Sequence, residues 1–481
     1  MFQKKISLFL VFLLLIISCQ QEKFVPPNII FILTDDQGYG DLGVYGGTDI
    51  STSNIDMLAF QGARFTSYYA TQPVCSASRA SILTGCYSDR ISIYNAFMPN
   101  SKKGINSQET TLAEMLKNIG YTTAIYGKWH LGDAPEFFPT KHGFDEFYGI
   151  LYSNDMWPYH PKQGTVFNFD DLILYENEKP LKVIKDQSFL TKSLTDRAIN
   201  FITKNKESPF FIYLSHPQPH VPLFADKKFI GTQDRGIYGD VINEIDFSFG
   251  RIFEVLKKNR LDRNTIIIFT SDNGPWLSYG SHSGSPGIYR EGKGTSWEGG
   301  HRVPGIIWFP KYIKPNTIID APVMGIDWFP TLTEFSKGKL PKFKIDGKSL
   351  VPLLTGKTLK SPHENLFFYY RENELHAIRH NDWKYYLKHS YRSLNGKKGK
   401  SDGTPIKYEM NSIKSAELYN LIEDPIEKNN VAGLYPNIIT KIDRISDSIS
   451  LILGNSLENI KGSEVRPIGL INNYELQKFK K

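Results

Sequence analysis

The chain has little cysteine, with only Cys19, Cys75 and Cys86 among its 481 residues. That excludes a disulfide-stapled scaffold and leaves stability to a packed core. It also leaves Cys75 available for chemistry. Long apolar runs are scarce too: the stretch from Ile6 to Ile17 is too short to span a bilayer comfortably. The net charge of +7 is spread thinly, with no dense Lys/Arg block and no nucleic-acid module. Nucleic acid is therefore not an expected partner. Repeats and low-complexity linkers are absent as well.

What is present fits a large globular protein, with 40% hydrophobic and 22% charged residues. At this length one large domain with a smaller companion is expected. At the N-terminus Lys4-Lys5 precede the apolar run, and Ser18-Cys19 and polar Gln20-Gln21-Glu22 follow it. That order reads as a secretory signal. Leu15-Ile16-Ile17-Ser18-Cys19 resembles a bacterial lipoprotein cleavage box. The expectation is a signal peptide over 1–18 and an exported protein, periplasmic or at the cell surface, anchored to the membrane through lipidated Cys19.

Asn28 to Leu33 is continuously apolar and β-branched, as in a strand buried on both faces. Helical spacing over Thr111–Gly120, Leu190–Lys204 and Tyr238–Asn259 alternates with strand-like Tyr121–Tyr126, Phe210–Leu214 and Thr265–Phe269. Gly305–Phe309 reads as another strand and Met324–Phe335 as another helix. The alternation predicts an α/β domain over 24–360: a large mixed, mostly parallel sheet sandwiched by helices. Beyond Lys360, short strand-like pieces at Leu366–Tyr370, Leu375–Arg379 and Trp383–Leu387 precede a helix over Pro436–Leu453. They predict a smaller C-terminal α+β domain over 361–481, built on an antiparallel sheet. Ser393–Ser412, rich in Lys, Gly and Ser, reads as an exposed loop.

In open α/β sheets functional groups gather past the C-terminal ends of strands. Asp35-Asp36 follows the first strand and Asp272-Asn273 the strand from Thr265. Each pair alone reads as a turn or helix cap; together they offer four hard oxygen ligands suited to Ca2+, with Mg2+ second.

Between them lies Cys75-Ser76-Ala77-Ser78-Arg79, followed by Leu83-Thr84-Gly85. This segment resembles the signature of the formylglycine-dependent sulfatases, arylsulfatase-like enzymes of the alkaline phosphatase superfamily. Other matching segments keep the family's order. They are Gly127-Lys128-Trp129-His130, Ser215-His216-Pro217-Gln218-Pro219-His220, Ser271-Asp272-Asn273-Gly274 and Gly292-Lys293-Gly294 through Gly300, then Glu417-Leu418-Tyr419. The likeness runs from about Pro26 to Leu434.

The resemblance implies a sulfuric ester hydrolase in which Cys75 is oxidised to formylglycine (3-oxoalanine) by a formylglycine-generating or radical maturation enzyme. Ala77, where the most familiar signature has proline, leaves the maturation system open. A hydrated aldehyde offers one hydroxyl to attack sulfur and a second whose deprotonation expels sulfate. By the same resemblance, Asp35, Asp36, Asp272 and Asn273, with modified Cys75, bind the metal. Arg79 steadies the formylglycine, and Lys128 and Lys293 hold sulfate oxygens. Each such contact is worth about 4 kcal/mol at 4 Å and an effective dielectric near 20, before desolvation. His130 matches a base and His220 the acid for the departing oxygen. Ser153 aligns with a family serine near the sulfate, and His301 is expected to border the pocket as a substrate contact. Trp157 and Tyr159 read as core aromatics or a sugar platform, and His216 as a loop polar group or a supporting one.

The expected substrate is a sulfated polysaccharide or glycan fragment, with aryl sulfates as surrogates. The competing readings are a phosphoester or phosphonate hydrolase of the same superfamily and a non-catalytic glycan-binding lipoprotein.

Overall fold

A computed structural model describes residues 24–159 and 169–471. The signal peptide over 1–18, the lipidation site Cys19 and the tip of the loop after Trp157 lie outside the described residues. No helix among the described residues is long and apolar enough to cross a membrane.

The core of the larger domain is a ten-stranded sheet. Its five central strands, in spatial order Thr265–Ser271, Asn28–Thr34, Phe210–Ser215, Thr122–Lys128 and Glu146–Ile150, are all mutually parallel. Asn28–Thr34 lies in the middle, with every residue buried, which explains its unbroken apolar sequence: both faces are covered by other layers. The sheet is mixed at its flanks. Gly305–Trp308 runs antiparallel to Thr265–Ser271, and Ile173–Glu176 antiparallel to Glu146–Ile150. Helices Leu190–Lys204 and Ile237–Lys258 pack on each other, and the first also packs on the central strands. On Leu112–Lys117 the expected helix starts one residue later than the periodicity suggests, because Thr111 and Glu114 form a reciprocal capping box. Likewise Met324–Phe335 is helical only from Trp328, after a 3₁₀ turn at Gly325–Asp327.

The smaller domain carries a four-stranded antiparallel sheet of Asn365–Tyr370, Glu374–His380, Trp383–Tyr386 and Glu417–Asn420. Helix Pro436–Leu453 contributes Ile442, Ile449 and Leu453 to the core of this domain. The Ser393–Ser412 segment is largely the exposed loop expected, with strand only at its two ends. Glu409–Ile413 pairs with His389–Ser393 as a separate hairpin, and the turn between them docks on the larger domain. There Ser281 N donates to the Lys400 carbonyl at 3.1 Å, and Ile406 N to the Ser278 carbonyl at 3.0 Å. The composition was that of a loop, but the backbone found partners across the domain boundary.

A buried ionic cluster locks the two domains. Lys384 Nζ lies 2.7 Å from Glu298 Oε1 and 3.5 Å from Glu427 Oε1, and all three side chains have no solvent exposure. Arg302 adds a second cation to Glu298 at 3.1 Å. Burial pushes Glu298 upward, but Lys384 and Arg302 outweigh it and hold that carboxyl at about 2. Removing one member of such a cluster strands an uncompensated buried charge. Lys384→Met is expected to cost about 3–5 kcal/mol of unfolding free energy in urea denaturation; a loss below about 1 kcal/mol would show that the cluster does not hold the domains together.

Candidate active site

The parallel register brings five strand ends to one edge of the sheet. Thr34 pairs with Ser271, Leu33 and Gly127 with Ser215, and Lys128 with Ile150. Asp35-Asp36, Asp272-Asn273, Ser215-His216, Lys128 and Leu151-Ser153 therefore emerge side by side, as expected for ligand sites in open α/β sheets. Gly127 permits part of this closeness. It lies at φ 119°, and a Cβ there would come within 1.8 Å of the Ser215 carbonyl oxygen.

Facing these ends is a ten-residue helix, Cys75–Thr84, with every residue buried and Cys75 in its first turn. Unpaired N–H groups and the helix dipole at that end favour negative charge. One turn on, Arg79 reaches into the strand ends. Its Nε and Nη2 each lie 2.9 Å from Asp272 Oδ2, and Nη2 lies 3.2 Å from Asp35 Oδ2. Its Nη1 donates to Ser215 Oγ at 2.6 Å and to the Lys128 carbonyl at 3.1 Å. One planar guanidinium thus ties together four strand ends.

Two lysines complete the charge pattern. Lys128 Nζ donates to Asp35 Oδ2 and, at 3.1 Å, to Ser153 Oγ. Lys293 Nζ lies 2.6 Å from Asp36 Oδ1 and 3.2 Å from Cys75 Sγ. Burial works against the ionised Asp35, yet Lys128 and Arg79 hold its carboxyl well below the usual range. Asp272 is pushed up to about 6 by burial and by the charge of Asp35. Burial opposes the Lys293 ammonium, but the carboxylates around it, Asp36 first, draw its pKa well above the lysine norm. Burial and the Asp35 carboxylate push the Cys75 thiol upward. An unmodified Cys75 therefore stays a protonated thiol, a poor nucleophile.

The histidines divide. His130 Nε2 faces the Phe97 carbonyl at 2.8 Å and so carries the proton. That leaves Nδ1, buried and without a hydrogen-bond partner, as the basic nitrogen. Burial and the Lys128 charge lower its pKa well below 6.5, keeping the ring neutral. Its φ of 63° is uncommon outside glycine. His220 Nδ1 faces the Val221 carbonyl at 2.5 Å, and Nε2 points at Asp36 Oδ2, 3.5 Å away. His216 is buried, lowered to about 4 by burial, and its backbone N–H donates to the Leu33 carbonyl.

The residues present fit a divalent cation. Asp36 Oδ2 and Asn273 Oδ1 are buried and accept no hydrogen bond. Ligand atoms of Asp35, Asp36, Cys75 and His220 lie within 4.8 Å of one another. Asp272 Oδ1 accepts the Asp36 N–H at 3.2 Å, and Asn273 Nδ2 reaches Asp36 Oδ1 at 2.6 Å. Three carboxylates and three cations balance one another here. An added dication would leave the excess positive charge that an oxyanion requires.

Other expected site residues fall elsewhere. His301 is fully buried, its Nδ1 on the Ala70 carbonyl at 2.8 Å and its ring edge against Phe368 at 4.9 Å. That places it in the seam between the domains instead of at the pocket rim. Trp157 is buried with its indole N–H on the Ile184 carbonyl, so it is core and not a sugar platform. Cys86 lies beyond the far end of the Cys75 helix, about 15 Å away by helical rise, and both thiols are free. Burial and the Asp346 carboxylate push the Cys86 thiol to about 12. Three contributors escaped the sequence reading. Ser215 bridges Arg79 and the Lys128 carbonyl, and its position at a strand end before His216 was a usable signal. Trp276, with its ring 5.5 Å from His220 and 4.9 Å from Lys293 Nζ, and Arg392, on the Lys293 carbonyl, had no local signal.

An oxygen-rich cation site, a helix N-terminus and three buried cations at a parallel-sheet edge define a hydrolase of anionic esters. Comparison with known proteins names the class. Residues 27–337 match the sulfatase family model, and 292–445 that of the N-sulphoglucosamine sulphohydrolase C-terminal region. N-acetylgalactosamine-6-sulfatase of Rattus norvegicus is 39% identical over 381 residues, covering 75% of this chain and 71% of that one. Among solved structures, Ps i-CgsB in complex with k-i-k-neocarrahexaose aligns with a TM-score of 0.75 at 30% identity, over 89% and 93% of the two chains. The PsFucS1 sulfatase from Pseudoalteromonas sp. aligns with a TM-score of 0.79 at 28% identity, over 89% and 91%. The chain belongs to the sulfatase family of the alkaline phosphatase superfamily and is a sulfuric ester hydrolase.

Proposed function

We propose that this enzyme removes sulfate monoesters from a sulfated saccharide, using formylglycine made from Cys75 and one Ca2+ held by Asp35, Asp36, Asp272 and Asn273. The observation that carries this reading is Cys75 at the helix start, between Asp35 and Lys293, in a setting that keeps an unmodified thiol protonated. Saccharide substrates are supported by the neocarrahexaose complex of the similar Ps i-CgsB. Calcium is favoured over softer metals by the four oxygen donors of Asp35, Asp36, Asp272 and Asn273. When bound, the dication and the aldehyde hydrate supply an activated hydroxyl nucleophile.

The protein's own side chains do the rest. Lys128 Nζ and Lys293 Nζ bracket Cys75 and bind sulfate oxygens, with Ser153 Oγ fixing the direction of Lys128. Arg79 holds Asp35 and Asp272 in place from behind. His220, whose Nε2 faces the centre beside Asp36, is placed to donate to the departing alcohol oxygen. His130 takes a proton at Nδ1, the nitrogen its bond to Phe97 leaves free. Export and membrane anchoring through Cys19 belong to the same proposal, supported by the sequence around residues 4–22.

Two experiments test it. Protein matured in its host should turn over 4-nitrophenyl sulfate much faster than 4-nitrophenyl phosphate, with Cys75→Ala at least about 10³-fold slower. The peptide containing Cys75 should have the mass of the aldehyde, below that of the thiol. A dominant phosphatase rate, or full activity in Cys75→Ala, would overturn the assignment. For the anchor, Cys19→Ala should move the protein from the membrane to the soluble fraction; an unchanged distribution would refute lipidation.

A further inference from the structure

Among the described residues, Arg392 is a cation close to the centre that forms no ion pair with an acid. It comes from the smaller domain, on the His389–Ser393 strand of the separate hairpin. Its Nε and Nη2 both donate to the backbone carbonyl of Lys293. Gly294 makes room for it: at φ 77°, a Cβ there would come within 2.4 Å of Arg392 Nη2. The guanidinium lies 4.6 Å from the ring centroid of Tyr408 and 6.0 Å from that of Trp276. The Trp276 ring also meets the Lys293 ammonium and the edge of His220. Arg392 therefore stands on the side of the centre where the alcohol departs, beyond the acid.

Its electrostatics are unfinished. Glu291 feels the charge of Arg392 but also that of Arg290, and its Oε1 accepts the Ser393 hydroxyl at 2.6 Å. Nη1 makes no hydrogen bond to any described residue, and the side chain is only half-buried. A guanidinium flanked by aromatic faces and anchored on a neutral carbonyl still presents a fork edge suited to an oxyanion.

We infer that Arg392 reads a second negative charge on the substrate, a carboxylate or a neighbouring sulfate on the saccharide that leaves. This deepens the sulfatase reading and rests on it. The same contact to the Lys293 carbonyl makes Arg392 a positioning residue for that lysine, so its charge and its anchoring have to be separated.

Three aryl sulfates separate them: 4-nitrophenyl sulfate, 3-carboxy-4-nitrophenyl sulfate and 4-nitrocatechol disulfate. The first has a neutral leaving group, the second adds a carboxylate and the third a second sulfate. The wild-type enzyme should favour one or both anionic compounds in kcat/KM, and added salt should erode that preference. Arg392→Gln should lose about tenfold more kcat/KM on the favoured anionic compound than on 4-nitrophenyl sulfate, mainly through KM. Arg392→Lys should keep the preference, because the charge remains. Equal losses on all three compounds, or a wild-type preference for the neutral one, would overturn the inference while leaving the sulfatase reading intact. No turnover of any of the three by matured wild-type enzyme would overturn both.

Discussion

The site depends on the buried guanidinium of Arg79. Asp35 and Asp272 emerge from adjacent parallel strands with no solvent exposure. Two carboxylates so placed would ordinarily repel each other and take up protons. Arg79 lies against both, and its remaining donors secure Ser215 and the end of the Lys128 strand. With Lys128 and Lys293 added, charge balance is reached without solvent, so the carboxylates stay available as oxygen ligands. The helix that carries Arg79 also carries Cys75. The group that orders the acids and the group that becomes the nucleophile thus belong to one rigid element.

Much of this was legible in the sequence, for a local reason. Residues at the C-terminal ends of parallel strands must converge. Asp35-Asp36 after Asn28–Thr34 and Asp272-Asn273 after Thr265–Ser271 could therefore be brought together from strand patterning alone. Lys128 and Ser153 came instead from the family resemblance, and the structure places both at the ends of neighbouring strands. The readings that failed depended on contacts between domains. His301 was expected to border the pocket, but Phe368 of the smaller domain packs on it. Arg392 stood next to a Lys/Gly/Ser-rich stretch that suggested solvent, yet its hairpin docks near the centre through Lys400 and Ile406. No local period encodes such pairings; they are set when two finished surfaces meet.

The seam between the domains therefore does more than hold them together. Lys384, Glu298 and Glu427 fix the turn that begins at Glu298, a few residues after Lys293. From the other side Arg392 grips the Lys293 carbonyl itself. In the proposed mechanism the larger domain supplies the nucleophile, the acids and the proton carriers, while the smaller one steadies Lys293 through Arg392. This division lets the hairpin of the smaller domain vary without disturbing the strand ends.

The central claim is that the balanced cluster of acids and cations is built to take one dication. Calcium titration of metal-depleted protein by calorimetry tests it most directly. The account predicts about one Ca2+ per chain, with binding lost in Asp36→Asn because an ionised oxygen ligand disappears. No calcium binding by the wild-type protein, or equal binding by Asp36→Asn, would contradict it.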